Sequence, residues 1–205
     1  MKRVVSSLAL AFTMLVSSVA FAATTTYRST MSGPSEQPPN DSPGASIATI
    51  VFDDTAMTML FSVPFMDLVG GSTIAHLHCC TPQPLIGVAP PAIDFINFPV
   101  GVHSGLYERL FNLTDPATYD PAFLTAHGGS VESARTFMLQ GINNNQSYLN
   151  IHSNVYPAGE IRGFVVQMAM PVPEPSSWLM LGVGLVGIGF GAARRRKTQT
   201  AISGQ

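Results

Sequence analysis

The sequence predicts an all-β domain, an antiparallel β-sandwich or barrel-like fold with one or two short helices, flanked by an apolar segment at each end. Residues 24–170 consist of short apolar runs separated by Pro, Gly, Asn and Asp, which is typical of antiparallel strands joined by turns. Helical caps and periodicity interrupt this pattern at residues 120–141. Of the 205 residues, about 150 remain once both ends are set aside, enough to bury one hydrophobic core.

Seven strands are predicted from apolar runs that are bounded by turn residues. They are Thr25–Met31, Ala45–Phe52, Met57–Phe65, Thr73–Cys79, Gly105–Leu113, Tyr148–His152 and Ile161–Met168. The second and third form a hairpin, because Asp53-Asp54-Thr55-Ala56 between them favours a turn. The last two are joined across Pro157-Ala158-Gly159-Glu160. Thr81–Pro99 contains five prolines and is predicted to be a long irregular loop.

Two short helices are predicted between the fifth and sixth strands. Asp120 followed by Pro121 places an N-cap residue before a proline suited to the first helical position, and Gly128-Gly129 ends that helix. Ser130 is predicted to cap a second helix, which runs to about Gln140 and stops at Gly141.

Charge is distributed unevenly along the chain. Six of the ten Lys and Arg residues lie at the two ends, whereas residues 4–193 contain four basic and twelve acidic residues. An acidic domain without a basic stripe is a poor match for a phosphate backbone. We therefore expect no nucleic-acid partner.

The first 22 residues have the layout of a secretory signal peptide. Lys2 and Arg3 precede a mostly apolar run over 4–16, and Ala20-Phe21-Ala22 supplies small residues at the cleavage site. Serines on both sides leave this run shorter than the ~20 apolar residues that a retained membrane anchor needs. We expect cleavage after Ala22 or Ala23, which leaves a β-rich domain at residues 23–170.

The far end contains a predicted membrane helix at residues 177–193. Sixteen uncharged residues, Trp178–Ala193, are followed at once by Arg194-Arg195-Arg196-Lys197. A helix of this length spans about 24 Å, and the flanking Trp and Arg side chains extend its reach into the interfaces. The positive-inside rule places the basic tail, residues 194–205, in the cytoplasm.

A linker at residues 171–176 precedes this helix and contains Pro173-Glu174-Pro175, which should be extended and accessible. The motif, the glycine-rich helix and the arginine cluster together resemble the PEP-CTERM sorting signal. The resemblance implies export by a Gram-negative bacterium, an inner-membrane intermediate, and cleavage by an exosortase near the Pro-Glu-Pro motif. It further implies delivery to the cell surface or the exopolysaccharide matrix. The alternative is a plain single-pass membrane anchor.

Three histidines are candidates for a metal site. His76 and His78 are two apart on a predicted strand, so both imidazoles face the same side. His152 lies on another predicted strand, and the three rings would converge on copper or zinc if those strands pair. Cys80 shares the parity of His76 and His78 and could add a thiolate, as could Cys79. The alternative places the histidines on a polar face, bonded to backbone groups.

The chain has two cysteines, and they are adjacent. Export to an oxidising compartment favours a disulfide. A bond between Cys79 and Cys80 would be vicinal, whereas strand neighbours ordinarily point to opposite faces. A metal thiolate and an intermolecular bridge remain alternatives, and we favour the vicinal disulfide.

Glu160 and Arg162 are two apart on one predicted strand face. We expect them to form a structural ion pair or to cap the Pro-Gly turn rather than to do acid–base chemistry. The sequence contains no Gly-x-Ser-x-Gly, P-loop, dinucleotide-binding or zinc-protease motif. The sequence therefore predicts that the protein is not an enzyme.

Two segments resemble the signature of the CHRD domain: residues 148–153, Tyr-Leu-Asn-Ile-His-Ser, and residues 157–163, Pro-Ala-Gly-Glu-Ile-Arg-Gly. Ala75-His76-Leu77-His78 resembles the first histidine strand of that family, while Cys79-Cys80 departs from many of its members. The resemblance covers about residues 25–168 and implies a β-rich extracellular module without established catalytic activity. The expected function is non-enzymatic binding or a structural role in the cell envelope or exopolysaccharide. The alternative is a small extracellular metalloprotein that could carry out redox chemistry.

Overall fold

The computed structural model describes residues 24–168, and within them every strand belongs to one antiparallel sheet. Both predicted terminal segments, including the helix at 177–193, lie outside these residues. The strands are β1 Thr24–Ser32, β2 Ala45–Asp53, β3 Thr58–Met66, β4 Ser72–Cys79, β5 Pro91–Asp94, β6 Gly105–Asn112, β7 Ser147–Ser153 and β8 Ile161–Gln167. Their order across the sheet is β5-β4-β7-β8-β1-β2-β3-β6.

The two ends of the sheet curl toward each other around a shared core. Phe95, just after edge strand β5, has its ring centroid 5.0 Å from that of Phe61 on β3 and 4.9 Å from that of Tyr107 on β6. The Leu68 N–H donates to the His103 carbonyl and joins the connections on that side. The result is a half-barrel of antiparallel strands, as the sequence predicts.

Alternation along the strands decides which side chains enter this core. On β3, Met59, Phe61, Val63 and Phe65 are buried, while the residues between them face outward. The predicted β2–β3 hairpin is confirmed, because the two strands pair in register at their turn. There Asp53 Oδ1 accepts hydrogen bonds from the Thr55 and Ala56 N–H groups, as an Asx turn requires.

Strand β5 lies inside the segment predicted to be an irregular loop, and that prediction is wrong over four residues. Pro91 begins this edge strand, where a missing N–H costs no ladder hydrogen bond. Ala92 and Ile93 are fully buried and hold the strand against the core. Burial in the tertiary structure therefore outweighs the local proline signal.

The two helices are α1, Pro121–Ala126, and α2, Val131–Asn143. Both predicted N-caps are confirmed, since Asp120 accepts hydrogen bonds from the backbone of α1 and Ser130 from that of α2. No helix within residues 24–168 is long and apolar enough to cross a membrane.

The predicted end of the second helix at Gly141 is wrong. Helix α2 continues to Asn143 and ends in a Schellman motif. In that motif the Gln146 N–H donates to the Gly141 carbonyl at 2.8 Å, and Asn145 adopts a left-handed φ of 57°. Gly141 is buried inside the helix, where it faces the two cysteine sulfurs and leaves no room for a side chain.

Candidate metal centre

The paired strands β4 and β7 have two chemically different faces. Ala75, Leu77, Leu149 and Ile151 point into the hydrophobic core and are almost completely inaccessible to solvent. The side chains between them carry imidazole, phenol and amide groups on the opposite face. Because alternation separates the two sets, this sheet carries a polar layer directly behind its core.

The three predicted histidines meet in this polar layer. The ring centroids of His76 and His152 are 5.1 Å apart, and those of His76 and His78 are 5.3 Å apart. One potential ligand atom from each ring lies within 4.8 Å of those of the other two. The pairing of β4 with β7, interrupted by an irregularity between Ser72 and Ile74, therefore gathers the rings into one cluster.

Each ring has one nitrogen next to a hydrogen-bond acceptor or an anion. His78 Nδ1 lies 2.8 Å from the Ala89 carbonyl oxygen, and His152 Nδ1 lies 2.9 Å from the carbonyl of Pro157. His76 Nε2 lies 3.6 Å from Asp94 Oδ1. A proton on these nitrogens leaves the other nitrogen of each neutral ring with a free lone pair.

Those other nitrogens have no protein partner. His76 Nδ1, His78 Nε2 and His152 Nε2 are all buried without a hydrogen bond. Burial lowers the pKa of His76 and of His78 to about 4, and it also lowers the pKa of His152. The rings are therefore neutral near pH 7, which is the form that binds a metal ion.

An aromatic and cationic stack borders the cluster, and sequence reasoning missed it. The Tyr148 ring is parallel to the His78 ring, with centroids 4.6 Å apart. The Arg162 guanidinium carbon lies 4.6 Å from the centroid of Tyr148, and Arg162 Nε–H donates to the Ser35 carbonyl. Tyr148 and His152 are an even number of residues apart on β7, so the sequence placed both on one face of the strand. No sequence pattern indicated that Arg162, on β8, lies beside Tyr148.

Glu160 has a structural role, although its partners differ from those expected. Its carboxylate is fully buried and accepts hydrogen bonds from the Ser42 hydroxyl and from the Val69 and Gly70 N–H groups. Burial raises its pKa, but the hydrogen bonds it accepts, Ser153 and Ser42 foremost, lower it below the usual value overall. The expected ion pair with Arg162 is not formed, because serine hydroxyls and loop 67–71 supply the donors instead.

Glu36 approaches the polar layer from the loop after β1. Its carboxylate accepts a hydrogen bond from Asn150 Nδ2, and only 7% of the residue is exposed. Burial raises the pKa of Glu36 to about 7, against a lowering by Arg162. The folded protein therefore binds this proton more tightly than the unfolded chain does.

Replacing Glu36 with Gln should change how stability depends on pH. The wild type should lose up to about 3 kcal/mol of stability from this group as pH rises from 4.5 to 7, because the buried carboxyl must ionise. Glu36→Gln removes that loss. The histidines affect the pH dependence of unfolding equally in both proteins, so their effect cancels in the difference. Urea unfolding at pH 4.5, 5.5 and 7 measures the difference between the two. A difference independent of pH would contradict the assignment.

The cysteines turn away from the histidine cluster. Cys79 and Cys80 are joined as a vicinal disulfide, with Cys79 buried in the core. Their sulfurs lie 3.9 Å and 3.8 Å from the carbonyl oxygens of Met138 and Phe137 on α2. The two sulfurs are therefore not available as ligands for an ion among the three histidines.

The cysteine state is directly measurable. We expect no free thiol in the native secreted protein and two after reduction under denaturing conditions. Thiol titration, with the mass of the alkylated chain, makes this measurement. Two reactive thiols in unreduced protein would contradict the disulfide, and a dimer on non-reducing gels would indicate an intermolecular bridge.

The remaining predicted sites fall outside the described residues. They are the signal-cleavage residues Ala20, Ala22 and Ala23 and the motif residues Pro173, Glu174 and Pro175.

Comparison with known families matches two segments of the chain. The CHRD domain matches residues 27–165, and the PEP-CTERM protein-sorting motif matches residues 171–197. No curated protein and no solved structure matches the chain. Neither family is a family of enzymes, and the sorting motif implies export with processing by an exosortase. Since the first match covers most of the chain and coincides with the half-barrel, the protein belongs to the CHRD domain family.

Proposed function

We propose that this protein binds one copper or zinc ion through His76, His78 and His152 after its export, in a binding or structural role rather than a catalytic one. The observation that carries the proposal is a cluster of three histidines whose potential ligand atoms lie within 4.8 Å of one another, each ring having one buried nitrogen without a protein partner. The expected destination is the cell surface or the exopolysaccharide matrix, reached through exosortase cleavage near Pro173-Glu174-Pro175.

Energetics support a ligand at this position. A buried polar atom without a hydrogen bond costs about 1–3 kcal/mol, and each of the three clustered histidines has one such atom. One metal ion would satisfy all three. Neutral imidazole suits copper and zinc. The hydrogen bonds on the opposite ring nitrogens of His78 and His152, and the Asp94 carboxylate near that of His76, resemble the groups that orient histidine ligands in metalloproteins.

The geometry needs only a small contraction to hold an ion. Ligand nitrogens about 2.0–2.1 Å from a tetrahedral ion are roughly 3.4 Å apart. The three potential ligand atoms lie within 4.8 Å of one another, so modest side-chain rotation brings them to that spacing. Three protein ligands leave a further coordination position for water or a small ligand.

Binding to a neutral polysaccharide is a second candidate, and the exposed surface of α2 favours it. Phe137 is 40% exposed, and its ring lies 3.8 Å from that of His127. Gln140 and Asn144 line a pocket of about 300 Å³ beside it. An exposed aromatic ring beside uncharged amides offers an apolar surface and hydrogen-bonding groups together, which a neutral sugar ring could contact. Retention of metal-free protein by the producer's own polysaccharide would support this function.

Analysis of the mature protein tests the leading proposal. We expect intact-mass spectrometry to show an N-terminus at Ala23 or Thr24 and a C-terminus near Pro173–Pro175. Elemental analysis should find about one copper or zinc per chain. A mature chain that still extends to Gln205 would contradict exosortase processing. Protein that is isolated without metal, and takes up neither ion on addition, would contradict the metal site.

A further inference from the structure

We propose that the ion is copper and that its surroundings favour the monovalent state, with Arg162 acting through Tyr148 to produce this preference. The inference rests on the proposed metal site and adds the identity and oxidation state of its occupant. Its elements are an uncharged ligand set, a buried location and a fixed cation behind one of the ligands.

The ligand set contributes no negative charge. Among residues 24–168, the group of side chains able to hold an ion consists of three histidines, without a carboxylate or thiolate. His76 and His78 are each only 8% exposed. Because the cost of burying an ion rises with the square of its charge, a divalent ion is penalised more than a monovalent one in such a site. Copper is the one of the two proposed metals that has a monovalent state.

Arg162 adds a positive charge on one side of the site. Strand β7 lies between β4 and β8, so the Tyr148 ring lies between the His78 ring and the Arg162 guanidinium. Arg162 is only 5% exposed. Water therefore screens its charge less than it would screen that of a surface arginine.

The nearby acidic groups offset this charge only in part. The Asp94 side chain, 3.6 Å from His76 Nε2, is 47% exposed, so solvent screens its carboxylate. Glu36 lies near Arg162, but burial raises its pKa to about 7, which leaves it partly protonated at neutral pH. Asp120 faces the His76 side and caps α1 with its carboxylate. Glu160 is a buried carboxylate as well, and the Ser42 hydroxyl and the Val69 and Gly70 N–H groups donate to it. On the Tyr148 side of the site, the buried charge is the guanidinium.

The size of the effect follows from Coulomb's law. A unit charge about 10 Å from the ion, at an effective dielectric constant of ~20, changes the relative affinity for divalent and monovalent copper roughly tenfold. Arg162→Met removes the charge and retains an unbranched side chain over Tyr148. Arg162→Lys keeps the charge and is the matched control.

Competition titrations with the full secreted chain test the inference. Cu(I) affinity is measured against bicinchoninate with ascorbate, and Cu(II) affinity against glycine. We expect wild type to bind Cu(I) more tightly than Cu(II) or Zn(II). Arg162→Met should shift the ratio of Cu(II) to Cu(I) affinity about tenfold toward Cu(II), while Arg162→Lys should shift it by less than about threefold. An unchanged ratio in Arg162→Met, or tighter Zn(II) binding by wild type, would overturn the inference.

A second measurement needs no variant. Wild-type protein loaded with one equivalent of copper and reduced with ascorbate should remain silent in electron paramagnetic resonance after the ascorbate is removed in air. Rapid growth of a Cu(II) signal would overturn the preference for Cu(I). These outcomes differ from failure of the metal site itself, in which the wild type would bind no copper or zinc at all.

Discussion

Replacing His76 with Ala should lower the affinity of the secreted protein for copper or zinc by more than about 100-fold, because losing even an outer partner of a ligand typically costs ~10–100-fold. His76 is the central ring of the cluster, with both other imidazoles within 5.3 Å between centroids. His78→Ala and His152→Ala should have effects of similar size. Titration with each metal against a chelator of known affinity measures the change.

His103→Ala is the matched control for this experiment. His103 Nδ1 lies 2.8 Å from the Leu68 carbonyl oxygen, and the residue is not part of the cluster. Metal should raise the melting temperature of the wild type and of His103→Ala, because a ligand that binds only the folded state stabilises it. It should not raise that of His76→Ala. Equal affinities for His76→Ala and His103→Ala would place the metal elsewhere.

Gly141→Ala should destabilise the domain by about 1–3 kcal/mol, because it overpacks a buried contact. The usual effect of this substitution inside a helix is a gain of roughly 0.5–1 kcal/mol, so the expected sign is reversed. A Cβ at residue 141 would overlap the Cys80 sulfur and lie 2.6 Å from that of Cys79. Neither sulfur can move away freely while the two are bonded to each other.

Urea unfolding of Gly141→Ala measures this effect, with Thr136→Ala on the exposed face of α2 as a control for helix propensity. A double-mutant cycle then assigns the cause. In a background with both cysteines replaced by Ala, the sulfurs are gone and Gly141→Ala should cost less or become stabilising. The same cost in both backgrounds would show that the sulfurs are not responsible.

Local patterns predicted the secondary structure of most of the domain. Alternation located the seven longer strands, and Asp120 and Ser130 marked both helix starts, since each signal depends only on neighbouring residues. Two local signals misled. The prolines near Pro91 indicated a loop, although burial of Ile93 in the core makes this segment strand β5. Gly141 indicated a helix end, although it lies inside α2, where it packs against the cysteine sulfurs. Both causes involve residues distant along the chain.

The candidate metal site was also predicted in part from local spacing and in part decided by strand pairing. The spacing of His76 and His78 placed both rings on one face, and His152 entered the prediction only on condition that its strand pairs with theirs. That pairing, β4 with β7, depends on the order of strands in the sheet. The position of the Arg162 guanidinium depends on the same strand order, because Arg162 approaches Tyr148 from β8. Neither relation can be calculated from residue spacing.

The sequence by itself determined the C-terminal sorting motif, the β-rich class of the domain, its helix starts and the shared face of His76 and His78. These are properties of short segments, decided by charge order, periodicity and capping. Only the tertiary structure decided that the three imidazoles converge, that the cysteine pair turns toward α2, and that Arg162 lies behind Tyr148. The physical reason is that strand order and sheet curvature are set by burial of the whole core, which couples residues far apart in the chain.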